Sequence, residues 1–168
     1  STNSTLNVAG DFTADGPFTA ASGTIFFTGT SKNISGSAAL QFAGITITGS
    51  ISTNTDFSIY ANFNVSGSLL VSSGKGPFNG TSTFSGTANL CDVQITSTAT
   101  LTMGSGSVLG IAGAATLDAG GVLNTTSNIP NTINFNGTTA QSLVFTTYDN
   151  LIVSGGNTKT PTANLSVN

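Results

Sequence analysis

The groups able to do chemistry in this 168-residue chain are few: three lysines, six acidic residues and a single cysteine, with no histidine. The acids are all aspartates, Asp11, Asp15, Asp56, Asp92, Asp118 and Asp149, and the cations are Lys32, Lys75 and Lys159, since neither Glu nor Arg occurs. Asp11 and Asp15 are close enough in sequence to form a carboxylate pair or hold a cation. Asp92 and Asp149 occupy matching places in a recurring phrase. The competing reading is that each carboxylate accepts a backbone N–H and caps a turn, as Asp and Asn do interchangeably. Without His, Glu or Arg the chain has no ready general base, metal set or anion clamp, so turn capping is favoured. The expectation is a protein that is not an enzyme, with no cofactor and no metal.

Other candidate sites resolve in the same direction. Gly10, Gly67 and Gly113 are not followed by Lys-Ser/Thr and so do not make a phosphate loop. No regular Gly- and Asp-rich nonapeptide of the calcium-binding kind is present. Cys91 stands alone between Leu90 and Asp92, which excludes an intrachain disulfide and suggests a small apolar side chain in the core. Asn-x-Ser/Thr sequons fall at Asn3, Asn33, Asn64, Asn79, Asn124, Asn136 and Asn164. A chain so rich in Asn, Ser and Thr generates several by composition alone.

Composition narrows the partners. Charged residues make up 5% of the chain, against about 25% in an average soluble domain. A surface so poor in charge favours self-association. The net charge of −3 and three scattered lysines argue against nucleic acid, whose affinity rests on neutralising phosphates. With 38% hydrophobic residues the chain is too apolar for disorder. No apolar run approaches the ~20 residues of a membrane helix, and the aromatics are too few for the girdles of an outer-membrane barrel, so membrane insertion is not expected. The first residue is Ser1, which points to a removed leader and an extracellular or cell-surface location.

The elements that carry these groups are short alternating runs such as Thr24-Ile25-Phe26-Phe27-Thr28, Ile45-Thr46-Ile47-Thr48, Val93-Gln94-Ile95-Thr96 and Leu151-Ile152-Val153-Ser154. Alternation with period two, closed by Gly, Asn or Ser, marks strands. No window has helical periodicity. Pro17, Pro77, Pro130 and Pro161 are assigned to turns, because proline cannot donate to a ladder.

The strands recur. Leu6-Asn7-Val8-Ala9-Gly10 returns as Phe63-Asn64-Val65-Ser66-Gly67 and as Leu109-Gly110-Ile111-Ala112-Gly113, and opens again at Leu165-Ser166-Val167-Asn168. Val8, Phe27, Ile45, Val65 and Phe84 follow one another at steps of roughly twenty residues, as do Ile111, Phe135, Leu151 and Val167, which is the length of one solenoid coil. The reading is one all-β domain, residues 1–168, a right-handed parallel β-solenoid (β-helix) of about 8–9 coils. It divides into three degenerate units, 6–62, 63–108 and 109–164, with a partial fourth at 165–168. Residues 31–40 are assigned to a loop leaving the coil. The alternative is a β-sandwich pilin that donates a strand, suggested by the hairpin-type pairs Asn79-Gly80 and Asn136-Gly137.

With the repeats aligned, Phe135-Asn136-Gly137-Thr138-Thr139-Ala140-Gln141, then Tyr148-Asp149-Asn150-Leu151-Ile152-Val153, then Leu165-Ser166-Val167-Asn168 resemble the repeats of large secreted bacterial surface proteins, the β-solenoid adhesins and fibre-forming proteins. The resemblance implies a secreted, cell-surface structural role. Thr139-Ala140-Gln141 occurs once only, and no sorting domain is recognisable, which leaves the export route open.

An isolated solenoid has unpaired strand edges at both ends, and such an edge templates further strands. The expected function is therefore a structural subunit of an extracellular filament, a homopolymer built head to tail by edge complementation. The interface is assigned to Leu6, Val8 and Phe12 at one end and to Leu165 and Val167 at the other. The alternative is a surface adhesin or an ice- or glycan-binding module, for which Thr46, Thr48 and Thr96 are the hint of a threonine row.

Overall fold

A computed structural model describes residues 5–168 as strands and turns with no helix. Every strand pairing among them is parallel, and the strands stack as a β-solenoid of about nine turns. The antiparallel sandwich is thereby excluded. Each coil visits three faces in the same order. Face A runs from Thr5–Val8 through Thr100–Met103 and Val122–Asn124 to Thr147–Tyr148 and Ser166–Val167. Face B runs from Phe12–Thr13 through Lys32–Ser35 and Ser50–Thr53 to Thr132–Phe135 and Asn150–Val153. Face C includes Phe57–Ile59, Lys75–Phe78, Asp92–Ile95, Ala115–Leu117, Gln141–Leu143 and Lys159–Pro161.

Four strands are long enough to turn a corner without ending: Phe18–Phe27 and Leu40–Ile47 pass from face C to face A, and Phe63–Val71 and Thr81–Leu90 pass from face A to face B. The last of these turns at Gly86, whose φ of +94° suits glycine. A Cβ there would lie 1.5 Å from the Val65 carbonyl oxygen of the previous coil, so the corner closes onto its neighbour only because the side chain is absent.

Alternation inside each strand sends one set of side chains inward, and the parallel register stacks them in columns. Ile25, Ile45, Phe63, Phe84 and Met103 line face A, and Ile51, Leu69, Ala88, Leu109 and Ile133 line face B. Phe42, Ile59, Phe78 and Ile95 line face C. All of these are buried. Fully burying each of these side chains other than Ala88 contributes about 1.5–3 kcal/mol, so the columns are the main favourable term in folding. Aromatic rings touch from coil to coil, as where Phe63 meets Phe84 at 5.2 Å between centroids.

The phrase spacing marks coils but not always the same face. Val8, Phe27, Ile45, Val65 and Phe84 all lie on face A, whereas Ile111, Phe135 and Leu151 lie on face B and Val93 on face C. Residues 31–40 do not leave the coil. Lys32–Ser35 is a face B strand with Ile34 buried, and Leu40 opens the next face C strand. A single inward Ile is enough where both neighbouring coils supply the ladder. Pro77 is also inside a strand, paired with Gln94, and Pro161 ends one; each removes one donor from the ladder rather than forming a turn.

Tyr148 is buried on face A, where its hydroxyl donates to the Phe145 carbonyl at 2.8 Å. Burial pushes its phenol up to about 12. The unfolded chain ionises this group near pH 10 while the folded chain keeps the proton, so its contribution is intact below pH 10 and lost as pH rises toward 12. Urea unfolding between pH 9 and 12 should show the midpoint falling in that window. Tyr148→Phe should flatten the fall; an equal fall in the variant would contradict this.

Candidate functional site

Five of the aspartates link neighbouring coils. The Asn33 N–H donates to Asp11 Oδ1 at 3.0 Å across 22 residues, the Lys75 N–H to Asp56 Oδ1 at 2.8 Å across 19, and the Ala114 N–H to Asp92 Oδ1 at 2.7 Å across 22. Asp149 works in the opposite direction, its Oδ2 accepting the Asn131 N–H of the preceding coil at 2.6 Å. Asp118 accepts Gln94 Nε2 at 3.0 and 3.1 Å. The carboxylates thus accept N–H groups as the sequence led one to expect, but mostly from the coil above or below rather than from their own turn. At the corners these charge-assisted bonds add to the backbone bonds between coils, as where the Ala114 N–H bond to Asp92 lies next to the Gly113 N–H bond to the Cys91 carbonyl at 2.7 Å.

Among the described residues no three His, Cys, Asp or Glu side chains gather as a metal ion would require. Asp15 contributes its backbone carbonyl, to Ser37 Oγ at 3.3 Å, and makes no described pair with Asp11.

Gln141, at the end of the Asn-Gly-Thr-x-x-Gln phrase, is buried and joins three backbone groups. Its Nε2 donates to the Ile111 and Gly113 carbonyls at 2.8 and 2.6 Å, and its Oε1 accepts the Gly137 N–H at 3.0 Å. The phrase therefore reads as a corner lock: Asn136-Gly137 makes the turn and Gln141 pins it to the coil before. Asn136 reaches further, its Nδ2 donating at 2.9 Å to Asn89 Oδ1 two coils away. A Cβ at the intervening Gly110 would lie 2.5 Å from that Asn89 oxygen, so glycine leaves the space the pair needs. Lys159 Nζ donates to the carbonyls of Gly137, Gly156 and Thr139 at 2.6, 2.8 and 3.1 Å, closing the same corner from the last coils. Position alone could have found Gln141; nothing in the sequence indicates the partners of Lys159.

Cys91 is half-buried and packs against the core, with its thiol 3.8 Å from Asp92 Oδ1. Burial, and then the adjacent Asp92 charge and hydrogen bond, raise its pKa above the ordinary thiol value.

The five residues assigned to an interface fall at opposite ends of the ladder. Leu6 and Val8 lie in Thr5–Val8, which among the described residues pairs on one side only, with Phe18–Phe27. Leu6 is 43% exposed, Val8 and Phe12 are half-buried, and the Phe12 ring stacks edge-on against Phe18 at 5.0 Å and Phe27 at 6.0 Å. At the other end Leu165 is half-buried and Val167 is 54% exposed, and Ser166–Val167, Asn150–Val153 and Lys159–Pro161 each pair with the preceding coil alone. Ile152 and Val153 are exposed beside them. The threonines suggested as a row do not form one: Thr46 stands between Phe26 and Asn64 in its column, and Thr96 follows the face C strand. The sequon at Asn3 lies outside the described residues.

No protein-family model matches the chain, and neither does any curated protein or solved structure.

Gln141→Ala removes a partner from the buried Gly137 N–H, from the part-buried Gly113 carbonyl and from the Ile111 carbonyl, which keeps the Asn136 N–H, and should cost about 1–2 kcal/mol in chemical unfolding. A change under about 0.5 kcal/mol would contradict the corner lock. For Cys91, Asp92→Asn keeps the oxygen acceptor but removes the charge, so iodoacetamide should label the thiol faster at pH 8 in the variant. Slower or equal labelling would show that the carboxylate does not govern the thiol.

Proposed function

We infer that this chain is a structural protein whose solenoid extends by adding coils end to end, as a subunit of an extracellular, cell-surface filament. The partner is a second copy of the chain, joined head to tail. The observation that carries this reading is that, among the described residues, Thr5–Val8 pairs only with Phe18–Phe27, and Asn150–Val153, Lys159–Pro161 and Ser166–Val167 pair only with the preceding coil, beside exposed Leu6, Val167 and Val153. Such an edge is a template for another strand of the same geometry. The low charge supports it, since nine charged side chains, most of the carboxylates tied to neighbouring coils, leave little repulsion between copies. The absence of an obvious catalytic set in the sequence supports a role that is not enzymatic. Adhesion to a host or neighbouring surface is the second reading.

Electron microscopy and sedimentation of the concentrated protein provide the test. Filaments should form, and Val167→Asp, which places a charge on the exposed edge without disturbing the core, should raise the critical concentration about tenfold or more, the equivalent of about 1.4 kcal/mol per contact. A protein that stays monomeric at every concentration, or filaments indifferent to Val167→Asp, would contradict the reading.

A further inference from the structure

The corner between faces C and A is not of constant length. In the first coil Ala21, Ser22 and Gly23 separate Ala20 from Thr24, and the register slips there because the second coil has only Ala43 between their partners, Phe42 and Gly44. In the third coil Tyr60, Ala61 and Asn62 separate Ile59 from Phe63, where the second coil has only Ala43 and Gly44 between their partners, Phe42 and Ile45. The second corner is therefore the shortest, and it is recessed between two that project. The result is a slot with Ala43 and Gly44 as its floor. Its two halves hold about 330 Å³, beside Tyr60 and Gln41, and about 220 Å³, beside Thr24 and Asn62, and meet at Ala43.

The walls are two ladder spacings apart, roughly 9.6 Å between backbones, which leaves about 5 Å of free width once the wall atoms are counted. That is the thickness of one saturated ring. The Tyr60 side chain is 44% exposed, an uncommon cost for an aromatic on a surface otherwise made of Ser, Thr, Asn and Gly. Gln41, Thr19, Thr24 and Asn62 place amides and hydroxyls on the rim, and no lysine or aspartate lines either half.

The geometry points to a binding site for a neutral saccharide chain, seated edge-on in the slot. Alanine and glycine make a floor that a sugar's C–H edge can approach closely, the Tyr60 ring takes one C–H face, and the amides match hydroxyls that both donate and accept. The missing charge selects against anionic polysaccharide, which would bring uncompensated negative groups to an uncharged slot. The site lies on the side of the solenoid and does not depend on the ends being joined.

Calorimetric titration of the folded protein with cellohexaose, mannohexaose and chitohexaose, and with heparin as the anionic comparison, tests this. At least one neutral oligomer should bind at up to about 10 mM, a concentration that saturates a millimolar site, and heparin should not. Tyr60→Ala and Gln41→Ala are both at exposed positions and leave the core intact; Tyr60→Ala should weaken binding about tenfold or more, as loss of a ring contact does. Ala43→Gln, which fills the floor, should abolish it. Failure of all three neutral oligomers to bind, preference for heparin, or binding indifferent to both Tyr60→Ala and Ala43→Gln would overturn the assignment.

Discussion

The interaction on which the rest of this structure depends is the parallel backbone ladder between one coil and the next. No coil is stable by itself: a strand of three or four residues buries only one or two side chains, and without a neighbouring coil none of its peptide groups has a ladder partner. Stacking satisfies both demands at once, because the register that pairs Ile45 with Phe63 and Phe63 with Phe84 also sets those side chains in one buried column. Hydrogen bonding and core packing are thus the same constraint, expressed in the same spacing. Among the described residues, Thr5–Val8 and Ser166–Val167 are each paired on one side only.

Where the ladder breaks, at corners, side chains continue it. Asp11, Asp56 and Asp92 each hold an N–H of the following coil, Asp149 holds one of the preceding coil, and Gln141 bridges three backbone groups at the corner closed by Gly137. Corners also set the outer shape. Equal corners give a smooth edge, and one shortened corner, at Ala43, gives a slot. The charged groups that an ordinary domain spreads over its surface are here largely used between coils, and the surface is left to hydroxyls and amides.

The sequence revealed the strands and the coil length because both arise from local demands: alternation at Thr24–Thr28 or Val93–Thr96 has no other reading, and Val8, Phe27, Ile45, Val65 and Phe84 do share a face. It did not reveal which face a given phrase occupies. An apolar residue followed by a small turn residue fits any of the three corners, so Ile111 and Phe135 look like Val8 and Phe27 yet sit on face B. Lys32–Ser35 escaped notice because a strand flanked by two coils needs only Ile34 to point inward. The aspartates were recognisable as acceptors, but their donors, some twenty residues away, depend on the register of whole coils. The slot beside Tyr60 was invisible for the same reason, since it is a difference in length between neighbouring corners.

Hydrogen exchange of the dilute protein, resolved along the chain, measures the ladder directly. Amides of Phe63–Val71 and Thr81–Leu90, paired on both sides, should exchange slowest, and those of Thr5–Val8, Lys159–Pro161 and Ser166–Val167 should exchange fastest, with protection rising coil by coil from each end. Equal protection in every coil, or end coils as well protected as the middle, would contradict an account in which each coil is held by its neighbours.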